Sequence, residues 1–299
     1  MAWNYPVQDE SALKPNPYCP REQEINILLL GPTGVGKTTF INAFANYIVN
    51  DTLEDAVQDE MQVIIPSSFS FTMPESFDEK TIIIGEQNDN ENFLADGESS
   101  TKQCRSFVFP IGDRNLRMID TPGIGDTRGI EQDKNNFHEI LSYLAQYEHL
   151  NGVCILLKPN EERLTILFRF CVNELLRHLH VNAKENIIFI FTNARATFFA
   201  PGNTKKLVEN LLRKHQDEHG VVIPFSKENT FLFDNEPFRY LAVPKFLHAN
   251  SILPINDDIL DYLQYFIREE QMKQNAGARN DEIIAGLRKT MDEFTNTKL

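Results

Sequence analysis

Gly31-Pro32-Thr33-Gly34-Val35-Gly36-Lys37-Thr38, followed by Thr39, is the stretch on which the reading of the fold turns. It follows the apolar run Ile25 to Leu30 and leads into FINAFANYIV. A strand that ends in a glycine turn and passes into a helix aims backbone N–H groups, and the positive end of the helix, at phosphate oxygens. Gly34 and Gly36 let the backbone approach without a Cβ. In this pattern Lys37 is expected to reach the β and γ phosphates and Thr38 to offer its hydroxyl to Mg²⁺. The whole eight-residue pattern, with both flanks in place, predicts a nucleoside triphosphate site rather than a plain glycine turn.

Outward from this loop, strands and helices alternate. Strands are expected at 25–30, 104–111, 115–120, 153–158, 186–192 and 230–234, and helices at 37–49, 133–148, 161–180, 203–219 and 256–270. VCILLK and NIIFIF are almost continuously apolar, as strands covered on both faces must be, and belong at the sheet centre. The strands at 104–120 adjoin through Gly112-Asp113-Arg114-Asn115 and predict an edge hairpin. The fold class is therefore α/β: a three-layer phosphate-loop domain with a mostly parallel sheet and one antiparallel edge strand.

Three regions stand outside this rhythm. Residues 1–22 carry prolines among polar residues without periodicity and read as a flexible N-terminal arm, with order beginning near Glu24. An insertion at about 50–98 holds VIIP, a Ser/Phe-rich stretch, TIIIGE and the acidic run Glu86 to Glu98, and is expected to be partly strand and partly mobile. The carboxylates of the acidic run lack regular ligand spacing, which favours a solvated loop over a metal site. Residues 271–299 form a tail in which Ile284, Leu287, Met291 and Phe294 recur at helical steps, so the main domain spans 23–270.

Composition narrows the partners. The 299-residue chain has 41% hydrophobic residues and a formal net charge of -14, which opposes non-specific binding to nucleic acid or anionic lipid. Cys19, Cys104, Cys154 and Cys171 are scattered and form no CxxC pair, so neither a zinc site nor a disulfide framework is indicated. No apolar run approaches the roughly 20 residues that span a bilayer. A cytoplasmic location is expected. His178 and His180 at a helix end, and the Phe168 and Phe170 positions beside Leu164, Leu167 and Leu175, read as structural features.

A second nucleotide motif follows. The strand LRMID ends in Asp120-Thr121-Pro122-Gly123, which suits a carboxylate serving Mg²⁺ and a Gly123 N–H at the γ phosphate. Between the two motifs, Ser99-Ser100-Thr101-Lys102-Gln103-Cys104 precedes a strand where a switch hydroxyl would close over the metal, with Thr101 as the choice.

At this point the chain resembles the septin-like branch of phosphate-loop GTPases, which includes septins, immunity-associated GTPases of the GIMAP type and chloroplast outer-envelope import receptors. GPTGVGKTTFINAF resembles the septin loop, IDTPGIGDTRG its switch II, and SSTKQC the GIMAP switch segment, over about residues 24–270. The resemblance implies guanine nucleotide (GTP/GDP) binding with Mg²⁺, slow hydrolysis, and nucleotide-dependent homodimers or homo-oligomers formed across the nucleotide face.

Two positions depart from it. The guanine-reading N/TKxD is replaced by Thr192-Asn193-Ala194-Arg195, so Asn193 and Arg195 stand at the base without its carboxylate, and the Asp234-Asn235-Glu236 loop is the substitute source, through Asp234 or Glu236. Ile124 occupies the place of a water-orienting glutamine, which leaves Thr101 and an arginine, with Arg128 nearest, as catalytic candidates beside Lys37. Three functions compete: a GTPase acting as a nucleotide-controlled assembly switch with an unnamed effector protein, a non-hydrolysing nucleotide-binding scaffold, and an ATP-using NTPase.

Overall fold

The computed structural model describes residues 8–9, 24–50, 52–72, 77, 79–86, 90, 101–111, 114–125, 130–164, 168–169, 172–173, 175–176 and 181–249. Its main sheet has seven strands: β1 (Gln8–Asp9), β2 (Glu24–Leu30), β5 (Arg105–Ile111), β6 (Arg114–Asp120), β7 (Gly152–Leu157), β8 (Ile187–Phe191) and β9 (Thr230–Leu232). The spatial order is β1-β5-β6-β2-β7-β8-β9. From β6 to β9 every pairing is parallel, while β5 runs antiparallel to β6. The expected fold class is the one observed.

Strand β2, which delivers the glycine loop, lies between β6, which delivers Asp120, and β7. In its EINILLL, Ile25 and Ile27 to Leu30 are apolar because both faces of the strand are covered. On one face Leu28 and Leu30 pack with Ile140 of α3 (Ile130–Leu144), with Leu164 and Phe168, and with Val208 and Leu211 of α4 (Thr204–His219). On the other, Ile25, Ile27 and Leu29 pack with Phe40, Ile41 and Phe44 of α1 (Lys37–Tyr47). Strand alternation thus feeds two cores, and the site sits where β2, β6 and β8 end.

The insertion contains a short helix α2 (Leu53–Gln58) and a separate antiparallel pair, β3 (Ser67–Thr72) with β4 (Glu79–Ile84). The pair is tied to α1 by side-chain amides. Asn42 Oδ1 accepts from the N–H groups of Ile64 and Ile65, both at 2.9 Å, and its Nδ2 donates to Ile65 O at 2.8 Å. One turn on, Asn46 makes a similar two-way clamp with Gln62.

Several expectations change. Residues 1–22 are not wholly a loose arm, because Gln8 and Asp9 pair with Val108 and Phe107 on β5, whose outer edge otherwise lacks a strand partner among the described residues. A helix α5 (Glu236–Ala249) follows β9 where none was expected; its apolar residues are spread around the axis, which hides the amphipathic period. Within the expected helix 161–180, residues 161–164 are not helical, while 168–169, 172–173 and 175–176 are. The expected helix 256–270, the 284–294 stripe, His178 and His180 lie outside the described residues. Among the described residues, no helix is long and apolar enough to cross a membrane.

Candidate functional site: a cleft with two unlike ends

The glycine loop takes the shape its composition permits. Gly34 (φ 70°) and Gly36 (φ 96°) adopt the left-handed region, and Gly36 caps α1 with no side-chain bond, so the first turn of the helix opens toward the loop. Lys37 is buried, and its Nζ donates to Gly31 O at 3.1 Å and Pro32 O at 3.4 Å. Burial lowers its pKa to about 8, against the pull of the Asp120 carboxylate, which favours the charged form.

The Asp120-Thr121-Pro122-Gly123 segment is interlocked with this loop. Thr33 N–H donates to Ile124 O (2.9 Å) and Ile124 N–H to Gly31 O (3.3 Å). A Cβ on Gly123 would stand 2.5 Å from Thr33 Oγ1 and 2.6 Å from Thr33 Cα, so only glycine fits there. Helix α3 fixes the far side: Asn136 Nδ2 donates to Gly123 O and Asp133 Oδ1 accepts from Gly125 N–H, both at 2.9 Å. Ile124 is completely buried. It offers no hydrogen-bonding side chain to water.

Three oxygens converge at the mouth of the loop. Thr38 Oγ1 lies 3.2 Å from Asp120 Oδ2, Thr101 Oγ1 lies 3.4 Å from the same oxygen, and the two hydroxyls are 3.3 Å apart. Burial raises the Asp120 pKa, opposed by Lys37, by the Thr38 and Thr101 hydroxyls and by the Thr121 N–H. Two hydroxyls and one carboxylate are hard oxygen donors, few enough to leave positions for phosphate and water, which is the donor set Mg²⁺ accepts. Thr101 is held there by Asn90, within the acidic run. Asn90 O accepts from Lys102 N–H at 3.0 Å and Asn90 Oδ1 from Gln103 N–H at 2.9 Å.

The other end of the cleft is a cavity of about 200 Å³ lined by Gly34, Gly36, Thr39, Phe69, Asn193 and Arg239, among others. Thr192, at the end of β8, is tied to the glycine loop through Oγ1 to Val35 O at 2.7 Å. Asn193 then turns through φ 55° and Ala194 N–H donates to Phe233 O. Both candidate carboxylates already hold partners. Asp234 accepts from Arg195 N–H and Glu236 N–H through separate oxygens, each at 3.1 Å, and Glu236 Oε1 accepts from Arg239 at 2.8 Å. Asn235 and Glu236 line the cavity.

The structure thus brings together the loop, Lys37, Thr38, Thr101, Asp120 and Gly123 at one end, and Asn193, Asn235 and Glu236 at the other. Arg128 lies outside the described residues. Asn90, Phe69 and Arg239 escaped the sequence reading, since each belongs to the insertion or to the unforeseen α5. Asn42 and Asn46 on the helix after the loop, four residues apart, were the available signal for an anchored insertion.

No family model and no curated protein matches the chain. Among solved structures, it is similar to Toc33 from Arabidopsis thaliana in complex with GDP and Mg²⁺, at 14% identity over 71% of each chain with a TM-score of 0.41. A dimerization-deficient mutant of the same Toc33 gives 14% identity, 71% of each chain and a TM-score of 0.42. The G domain of the T. maritima FeoB iron transporter gives 13% identity over 74% of this chain and 98% of that one, with a TM-score of 0.29.

Proposed function

We propose that this protein binds guanine nucleotide and hydrolyses GTP to GDP and phosphate with Mg²⁺, acting as a nucleotide-controlled assembly switch. The observation that carries the reading is the convergence of Thr38, Thr101 and Asp120 oxygens beside a glycine loop that holds a buried lysine. Mg²⁺, held by Thr38 and Thr101 with Asp120 alongside, would neutralise charge on the β and γ phosphates. Lys37 adds a second positive charge to the same oxygens, and the loop N–H groups cradle them. Water attacks the γ phosphorus, the bond to the β-phosphate oxygen breaks, and the proton of the water ends on phosphate.

With Ile124 buried, water is positioned by Thr101 through its hydroxyl or backbone, and an arginine answers the developing charge. Arg128, from the same subunit or from a partner docked across the nucleotide face, is the residue to test. Phosphate release should rise with protein concentration and lose that dependence in Arg128→Ala. A specific rate that stays flat over a hundredfold dilution range, in a sample that remains monomeric with a non-hydrolysable triphosphate, favours the scaffold reading, which Ile124 also supports.

A further inference from the structure

We infer that Arg239 and Asn235 form a donor–acceptor pair that selects guanine over adenine, with the β3–β4 hairpin as the wall that holds the donor in place. The inference rests on the guanine-nucleotide reading and supplies the base contact that TNAR lacks. Asn235 is 7% exposed, lines the cavity, and its buried Oδ1 has no hydrogen-bond partner among the described residues. A buried acceptor left unmatched is costly, and a donor on a base seated in the adjoining cavity would match it.

Arg239, one turn along α5, lines the same cavity and is fixed on three sides. Its guanidinium lies 5.0 Å over the Phe69 ring, donates to Glu236 Oε1 at 2.8 Å and donates to Ser70 O at 3.1 Å. Phe69 and Ser70 belong to β3, so the insertion positions this cation. A guanidinium has five N–H donors in a rigid plane, and these two bonds leave donors over.

The bases differ in the order of their polar edges. Guanine presents an acceptor, O6, beside a donor, N1–H, and adds N7 as a second acceptor on the neighbouring edge. Adenine reverses the pair, with an amino donor beside an acceptor nitrogen. A donor from Arg239 and an acceptor from Asn235 match guanine and oppose adenine. The carboxylates are committed elsewhere, Asp234 to two backbone N–H groups and Glu236 to Arg239 itself. Reading through O6 and N1 makes the exocyclic amine dispensable.

The test is titration of the full chain with GDP, IDP and ADP in Mg²⁺, for wild type, Arg239→Met, Asn235→Ala and Lys37→Ala. Arg239→Met should reduce the GDP-over-ADP preference by about tenfold or more, through weaker GDP binding at constant ADP affinity. Asn235→Ala, which leaves the Arg239 contacts untouched, should reduce the same ratio. Wild type should bind IDP within a few-fold of GDP. Parallel loss of GDP and ADP affinity in both variants, an unchanged ratio, or IDP weaker than GDP by about tenfold or more would overturn the pair, the last in favour of a carboxylate on the amine. Wild type that binds no nucleotide, or Lys37→Ala that binds as wild type does, defeats the guanine-nucleotide reading and this inference with it. A GDP preference that survives both cavity variants defeats this inference alone.

Discussion

The two ends of the cleft, here proposed to take phosphate and base, are built in opposite ways. At the phosphate end, backbone does most of the holding: left-handed glycines, a helix start, and Gly123 packed against Thr33 where no Cβ fits. At the base end side chains hold one another, with Asp234 clipping two N–H groups and Arg239 pinned between Phe69, Glu236 and Ser70. Phosphate is common to every nucleotide and can be met by a fixed loop. A base must be told from other bases, and under the proposed reading that task falls to side chains drawn from separate parts of the chain.

The largest expected effect is Lys37→Ala, which should weaken GDP and ADP alike by about a hundredfold, because a charge-assisted contact to phosphate is lost at an end blind to the base. Fold and GDP-to-ADP ratio should persist; a changed ratio would break the division between the two ends. Next, Thr38→Ala and Thr101→Ala should each lower affinity for triphosphate in Mg²⁺ by about tenfold and much less in chelator. An equal loss in both conditions would remove the two hydroxyls from the metal. Gly123→Ala forces a Cβ onto Thr33 Cα and should cost about 1–3 kcal/mol of stability by denaturant unfolding. It should impair phosphate binding at an unchanged base preference.

The smallest expected effect lies outside both ends and serves as a control. His215 on α4 is buried against His219, with Glu218 beside them, and burial lowers its pKa from the ordinary 6.5. Below that ordinary value the unfolded chain takes up the proton first, so stability falls as pH drops from about 6.5 toward the depressed folded value. His215→Leu should flatten that slope in a thermal melt. A slope identical to wild type would show that the ring titrates as it does in the unfolded chain.

Much of the phosphate end was legible because its residues are neighbours in sequence and their chemistry is local. Gly34, Gly36, Lys37 and Thr38 occupy one turn, and Asp120 and Gly123 another, each announced by the strand before it. Thr101 could be singled out from its place ahead of β5. The base end was opaque for the converse reason. Phe69 and Arg239 are 170 positions apart, and nothing local marks either as part of a site. Helix α5 lacked a legible apolar stripe, and the substitute carboxylates Asp234 and Glu236, visible as residue types, turn out to hold backbone and arginine.

The bonds from Asn42 to Ile64 and Ile65 set the terms on which the insertion is carried. They fasten the chain just before β3 begins, only about one helical turn beyond Thr38. A long excursion closed only at its distant ends would carry its ordering entropy into the nucleotide site, whereas one fastened at its root confines that cost to the segment beyond the fastening. The stretch from Ile64 to Ser70 has little latitude in length, because register there sets where Arg239 rests.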